Sequence, residues 1–378
     1  MTPATTRKDP DREGLEAFVS ADPRLEAVRT AAGDAPAYLV GGSVRDLLLG
    51  QKPTDIDVAL EGDLVPVLAA LGGEPVEHPR FMTAEVMLDG RKVDLARTRS
   101  EKYASPGDLP EVAPAKLEED LGRRDFSINA IAVSLSDPAT VLDPFGGLDA
   151  IAEGRLSLLG PDSLVDDPTR AFRGARYGAR FGFEPDREME VALSRCDLET
   201  VSSDRIRSEL VLIGREHAPE EALARLGEWG VLPIPGETVR TVGVARSLLE
   251  GSDPWRDWVD LEDVVVAAVE ALDQDPGIPG QAPSSRIEQY ELLSRKSREE
   301  VLLARAAGAE WLDWWPSEGL KASLQIDGED LIDAGIAPGP AVGRGLREAL
   351  AESLEAGGTD RAQQLSTALA AARDVGTA

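Results

Sequence analysis

One cysteine, Cys196, in 378 residues rules out an intramolecular disulfide, and two histidines, His78 and His217, leave too few soft donors for a zinc or redox-metal site. No apolar run approaches the roughly 20 residues needed to cross a bilayer, and the opening MTPATTRKDPDREG lacks the apolar core of a signal peptide. The expectation is a cytoplasmic protein without membrane contact. Basic residues are also scarce: 40 Lys and Arg face 69 Asp and Glu, for a formal net charge of −29. That balance argues against generic nucleic-acid affinity, which depends on Lys and Arg neutralising phosphates, unless the cations are gathered locally. They are gathered, at Arg123-Arg124 and from Arg170 to Arg180. The rest is ordinary for a globular chain, with 42% hydrophobic and 29% charged residues and length enough for two to four domains.

Residues 37–60 read AYLVGGSVRDLLLGQKPTDIDVAL. Ala37–Val40 is a short apolar run suited to a buried strand, and Gly41-Gly42 interrupts it with residues that lack a Cβ. A helix is expected next: Ser43 suits an N-cap with Asp46 three residues on, and Val44, Leu47 and Leu48 repeat at helical spacing until Gly50. Residues 55–60 then alternate, with Ile56, Val58 and Leu60 on one face and Asp55 and Asp57 on the other. Two carboxylates beside a glycine-flanked helix N-terminus make a place for a triphosphate and Mg²⁺, because backbone N–H groups and the helix dipole hold phosphate oxygens while paired carboxylates hold the cation.

The first 36 residues read as a polar lead and a helix carrying Leu15, Phe18 and Val19 on one side. From 37 to about 159, strands and helices alternate; residues 84–88, 92–95 and 128–135 complete the strand candidates, and Asp89-Gly90 marks a hairpin turn. After 162 the pattern turns helical, over residues 168–181, 187–195, 203–215, 219–228, 261–272, 297–307 and 345–355. Residues 230–238 and 273–285 have linker composition. There is no internal repeat of fixed period.

Three further groups of residues carry chemistry. Two cations that activate a 3′-hydroxyl and stabilise a leaving pyrophosphate need ligands from more than one strand, so Asp94 is either a third carboxylate or an ordinary strand-end acid. In Arg123-Arg124-Asp125-Phe126-Ser127-Ile128-Asn129-Ala130, arginine forks suit phosphate oxygens and Asp125 suits a ribose 2′-hydroxyl, while Phe126, Ile128 and Ala130 alternate as in a strand. In DDPTRAFRGARYGAR, Asp167, Arg170, Arg173, Arg176 and Arg180 share one helix side, opposite Phe172, Ala175 and Ala179, with Pro168 in the first turn. That stripe is either solvated or a reader of bases. Asp167 accepting from an exocyclic amino group while Arg170 donates to the adjacent ring nitrogen would select cytosine and adenine, since uracil and guanine present the reverse order.

Together these motifs resemble the class II tRNA nucleotidyltransferases, a family that also holds the CC-adding, A-adding and bacterial poly(A) polymerase enzymes. The resemblance spans about residues 38–210 through GGSVRDLLLG, TDIDVAL, VDLART, LEEDLGRRDFSINAIA, LDPFGGLDAIAEGRL, DDPTRAFRGARYGARFGF and SSDRIRSEL, in the family's order. A fainter likeness covers IDGEDL at 326–331 and GIAPGP at 335–340.

The resemblance implies an α+β fold: a polymerase-beta-type nucleotidyltransferase head with a small mixed sheet, then an all-helical neck, body and tail. The corresponding division is a lead at 1–36, head at 37–159, neck at 160–235, body at 236–310 and tail contacting tRNA at 311–378. It implies that Asp55 and Asp57 carry Mg²⁺ and that Gly41, Gly42, Ser43 and Arg45 hold the triphosphate. Arg124, Asp125 and Asn129 would contact phosphate and ribose, Asp167 and Arg170 the base, and Arg173 the phosphates. Residues 143–147 would link head to neck, and 205–209 would brace the neck. The implied reaction is addition of CCA, from CTP and ATP, to the tRNA 3′ end with release of pyrophosphate. The alternatives are A-only or CC-only addition or poly(A) synthesis, and more remotely transfer to a small molecule or RNA binding without catalysis. Relatives often have Phe-Gly-Thr-Ala where this chain has Phe81-Met82-Thr83-Ala84, and Glu-Asp where it has Asp166-Asp167. The segment 99–118 stands at the family's flexible-loop position without visible truncation, which favours CCA or A addition over CC addition.

Overall fold

The structure, a computed structural model, describes residues 9–102, 110–251, 254–272, 274 and 277–374. Parts of three expectations, on the lead, the flexible-loop segment and the second linker, therefore lie outside the described residues. The chain divides into two compact units, one of residues 1–209 with 216–233 and the other of residues 210–215 with 234–378.

The first unit opens with α1 (Arg12–Ala21) and α2 (Pro23–Ala32), capped by the carboxylates of Asp11 and Asp22. Then come β1 (Ala37–Val40), α3 (Gly42–Leu48), β2 (Ile56–Leu60), α4 (Leu64–Leu71), β3 (Val76–His78), β4 (Thr83–Leu88) and β5 (Arg91–Arg97). A hairpin of β6 (Arg99–Lys102) and β7 (Glu111–Pro114) precedes α5 (Leu117–Gly122), β8 (Ala132–Ser134), β9 (Val141–Leu142), α6 (Gly147–Glu153) and β10 (Arg155–Leu156). The helical part of this unit is α7 (Ser163–Asp166) and α8 (Arg170–Phe181), then, after the short β11 (Glu184–Pro185), α9 (Arg187–Leu193), most of α10 (Ser203–Gly214) and α11 (Pro219–Glu228). Seven strands form one mixed sheet in the order β3-β4-β5-β2-β1-β8-β9, in which β2 and β5 run parallel and the other neighbours antiparallel. The expected hairpin between β4 and β5 turns at Asp89 (φ 50°) and Gly90 (φ 70°).

Three local expectations need correction. Ser43 does not cap α3; Gly41, at φ 69°, holds the N-cap position, and the Ser43 hydroxyl reaches across to β2, donating to the Asp55 carbonyl (2.9 Å) and accepting from the Asp57 N–H (3.0 Å). Residues 128–135 are not one strand, because residues on both sides of the alternation are buried: Phe126, Ile128 and Ala130 are fully enclosed, and so nearly are Ser127 and Asn129. The segment turns as a 3₁₀ helix over Ser127–Asn129 and pairs only from Ala132. Helix α8 starts at Arg170 rather than Pro168, since the Asp167 carboxylate ties down the Thr169 N–H and hydroxyl in a tight turn ahead of it. Met82 takes φ 54°, a left-handed conformation that costs an L-residue about 1–2 kcal/mol.

Helix α6 packs against the 3₁₀ turn. Its first N–H groups, Gly147 and Leu148, donate to the two oxygens of Asp143 at 2.7 and 2.9 Å. A Cβ on Gly147 would run into the Ser127 carbonyl and come within 2.6 Å of Ile131 Cγ1. Gly147→Ala is expected to cost about 1–3 kcal/mol through this overpacking, read as a fall of several degrees in Tm; an unchanged Tm would contradict the close approach.

The second unit is all helical: α12 (Gly236–Glu250), α13 (Leu261–Glu270), α14 (Arg286–Leu293), α15 (Arg298–Ala306), α16 (Gly328–Asp333), α17 (Pro340–Ala356) and α18 (Arg361–Arg373). Five of the six tryptophans are here, whereas all seven phenylalanines fall in the first unit. Trp255 and Trp258 meet edge to face at 4.9 Å, and Trp255 Nε1 donates to Asp313 Oδ1 (2.6 Å), which Arg305 Nε also reaches at 2.6 Å. Leu293, Val301, Leu302 and Leu312 close this core, and Leu331, Ala349 and Ala368 form a smaller one beneath α16–α18. No described helix is long and apolar enough to cross a membrane.

Candidate active site

A cavity of about 590 Å³ opens in the first unit, over the end of β1 and β2 and against α8. Nine arginines and five carboxylates line it, so the net −29 of the whole chain conceals a cationic chamber. Of the residues expected in the site, Gly41, Gly42, Arg45, Asp57, Asp94, Arg124, Asp125, Asn129, Asp167, Arg170 and Arg173 all line it. Asp55 lies just outside β2 and is exposed, and Ser43 is buried behind the glycine turn.

The turn at Gly41 forms the floor. Besides its positive φ, a Cβ there would lie 2.8 Å from Arg124 Nη1 and 3.5 Å from Asp57 Oδ2, so the glycine lets a cation and a carboxylate meet over bare backbone. The register of β2 on β5 sets Asp57 beside Asp94, whose carboxylate is also 3.0 Å from Lys92. Burial pushes the Asp57 carboxyl up to about 6; Arg124 opposes the shift, while Asp94 and Asp55 add to it. A desolvated carboxylate that feels two more anions is a site short of positive charge, and all its donors are oxygens. That suits a hard divalent cation. Among the described residues no group of three or more His, Cys, Asp and Glu side chains is placed to hold a metal ion by itself.

Arg124 is aimed by Asp120, whose Oδ2 accepts from its Nη2 at 3.0 Å while Oδ1 accepts from Arg123 at 2.9 Å. Burial alone would raise the Asp120 pKa, but the two guanidiniums outweigh it and hold the carboxyl below its ordinary range. Asp125 is treated the same way. It is 5% exposed, accepts from the Phe126 N–H (2.8 Å) and Asn129 Nδ2 (2.9 Å), and lies 2.8 Å from Arg173 Nε. Despite burial its pKa is lowered, chiefly by Arg173.

Asp167 and Arg170 reach the same cavity by separate supports. Asp167 Oδ1 accepts from Thr169 Oγ1 (2.6 Å) and Arg205 Nη2 (2.8 Å). Arg170 is 9% exposed and donates to Ser163 Oγ (2.6 Å) and the Arg123 carbonyl (2.9 Å). Sequence reasoning missed Ser163, which carries no motif of its own, and Glu216, which accepts from both Arg176 and Arg180 at 2.9 Å and so removes these two from the stripe of free cations. It also missed the Glu101 carboxylate, 2.7 Å from Arg123 Nη1, which ties the base of the β6–β7 hairpin to the cavity wall.

A mixed sheet with a glycine turn and paired carboxylates at one edge of the cavity, followed by a mostly helical remainder, defines a nucleotidyltransferase fold. Residues 37–157 match the Poly A polymerase head domain family. A CC-adding tRNA nucleotidyltransferase of Deinococcus radiodurans is 34% identical over 91% of this chain and 91% of its own, and an A-adding tRNA nucleotidyltransferase of Geobacter sulfurreducens is 41% identical over 53% of this chain and 24% of its own. Among solved structures, an apo form of a CCA-adding enzyme superposes with a TM-score of 0.78 at 28% identity, over 95% of this chain and 98% of the other. The chain belongs to the tRNA nucleotidyltransferases.

Proposed function

We propose that the protein adds CCA to the 3′ end of tRNA, using CTP and ATP and releasing pyrophosphate, without a nucleic-acid template. The observation that carries this reading is that one cavity is lined both by the desolvated Asp57 and by the Asp167 and Arg170 side chains that suit cytosine and adenine. In this reading Asp55 and Asp57 hold Mg²⁺, with Asp94 as the third carboxylate, and the bound cation supplies Lewis-acid stabilisation of the phosphoryl oxygens.

The chain's own residues do the rest. Gly41 and Gly42 offer backbone to the triphosphate, Arg124 and Arg173 balance its charge, and Asp125 with Asn129 faces the ribose. Asp167 Oδ2 accepts from the exocyclic amine of the base and Arg170 donates to the neighbouring ring nitrogen. Residues 160–235 are thereby assigned to base choice, 236–310 to a body and 311–378 to tRNA contact. A tRNA substrate places the work in the cytoplasm.

Addition of CC alone is the second reading, favoured by the end-to-end match to the CC-adding relative. Transcripts ending before the CCA, in C and in CC, incubated with labelled CTP and ATP, separate the two. CCA addition predicts extension of all three to the full end. If the transcript ending in CC stays unextended, the CC-only reading replaces it, and no incorporation on any transcript would refute both.

A further inference from the structure

Helix α7 is a single turn, and its first residue holds both members of the pair assigned to the base. Ser163 is 5% exposed. Its hydroxyl accepts from Arg170 Nη1 at 2.6 Å, and its carbonyl accepts from the Asp167 N–H at 3.2 Å. The turn is itself anchored, because Leu164 is fully buried and the Ser163 N–H donates to the Gly160 carbonyl at 3.3 Å. The Arg123 carbonyl takes Arg170 Nη2 at 2.9 Å, so the guanidinium is pinned at both of its Nη atoms. Two of its five N–H groups are spent in this way, which leaves donors for a nucleotide.

A pinned guanidinium matters because an acceptor and a donor side by side suit cytosine and adenine in one order along the base edge, and uracil and guanine in the other. A guanidinium able to slide past the carboxylate would donate to O4 of uracil while Asp167 accepted from its N3–H. Charge and hydrogen-bonding capacity therefore do not reject the wrong base; the order of the two groups does. On one side Thr169 and Arg205 take Asp167 Oδ1. On the other, the Arg123 carbonyl supplies a single acceptor, about which a planar fork can still pivot. The Ser163 hydroxyl is the second point that stops the pivot, and it belongs to the residue whose carbonyl fixes the Asp167 backbone.

We propose that Ser163 is a positioning residue for base choice: its hydroxyl and carbonyl together hold Arg170 and Asp167 in one order along the base edge, so that uracil and guanine, which need the reverse order, are refused. The proposal rests on Asp167 and Arg170 being the groups that read the base.

The test is the ratio of kcat/KM for CTP to that for UTP, measured with the full chain on a tRNA transcript ending before the CCA. Ser163→Ala removes one oxygen and leaves both reading groups in place. Its ratio is expected to fall about tenfold, the scale of a lost hydrogen bond to a charged group, mainly through easier use of UTP. Ser163→Thr, which keeps the hydroxyl, should hold the ratio within about twofold of wild type. A loss of packing alone would lower the Tm without moving this ratio. In the Arg170→Ala background, where the hydroxyl has nothing left to position, Ser163→Ala should change the ratio by less than about twofold; this comparison decides the matter if the threonine variant does not fold. An unchanged ratio in Ser163→Ala, or a fall of equal size with and without Arg170, overturns the proposal. If Asp167→Ala and Arg170→Ala themselves leave the ratio unaltered, base reading by the pair falls and takes the proposal with it.

Discussion

Asp57→Asn is expected to abolish nucleotide incorporation while raising the Tm of the metal-free protein. The two effects share one cause. Burial, with Asp94 and Asp55 nearby, lifts the Asp57 carboxyl from 3.8 to about 6. A carboxyl whose pKa is raised by folding is destabilised as the anion, so the cost is absent below the unfolded value and present in full above the folded one. At pH 7 the wild-type chain therefore carries roughly 3 kcal/mol of strain at this position, at about 1.4 kcal/mol for each tenfold change in proton affinity, with the opposing pull of Arg124 already counted. The neutral isostere removes that cost. It also removes the charge that would hold a cation and the oxygen that would share it, and loss of a metal ligand at a phosphoryl-transfer centre should lower kcat by at least about 10³-fold. Melting curves in EDTA and with Mg²⁺ plus CTP read both predictions: wild type should gain stability from Mg²⁺ and CTP, and the variant should start higher and gain little. A variant with near-normal turnover, or one that melts lower than wild type in EDTA, would remove Asp57 from the place given to it.

Asp167→Ala and Arg170→Ala should act on choice more than on rate. A paired acceptor and donor reading one base edge is worth about 1–3 kcal/mol of discrimination, so preference for CTP over UTP should fall roughly 10- to 100-fold in either variant. The two differ in stability. Arg170 is buried and satisfies Ser163 Oγ and the Arg123 carbonyl, so its removal strands two polar groups and should cost about 1–3 kcal/mol. Asp167 is more open, and its loss lets the partly exposed Arg205 turn to water while leaving the buried Thr169 N–H and hydroxyl to find other acceptors. Arg205→Ala is an internal control, because it leaves both base-reading groups present while removing the guanidinium that holds Asp167 Oδ1 at 2.8 Å. Unaltered fidelity in the Asp167 and Arg170 variants would refute base reading by this pair.

The periodic parts of this fold were legible in the residues themselves. Strands at β1, β2, β4 and β5, the Asp89-Gly90 turn and most of the long helices follow from alternation and from i, i+3, i+4 spacing, which report local geometry directly. What escaped was set by partners far away in the chain. The Ser43 hydroxyl looks like a cap until β2 offers it a carbonyl and an N–H twelve and fourteen residues on. The partner that fixes Arg45 Nη1 is Asn129, 84 residues distant, which no local pattern points to. Asp167 and Arg170 share a helix side in the periodic pattern, yet Thr169 and Arg205 hold one while Ser163 and Arg123 hold the other. Residues 126–130 misled for a simpler reason, since alternation of polar and apolar side chains marks a strand only if the polar ones reach water, and here Asp125, Ser127 and Asn129 are all enclosed. The acidity of the chain was a poor guide to its site for a similar reason, because a total charge does not say where the arginines converge.

Choice of C and A by protein side chains alone is the central claim, and one tube tests it. Wild-type protein, Mg²⁺, all four nucleoside triphosphates at equal concentration and a tRNA transcript ending before the CCA should give a product extended by two C and one A, with U and G below detection. Incorporation of U or G at levels comparable to C and A, or a product that is not extended at all, would contradict the account.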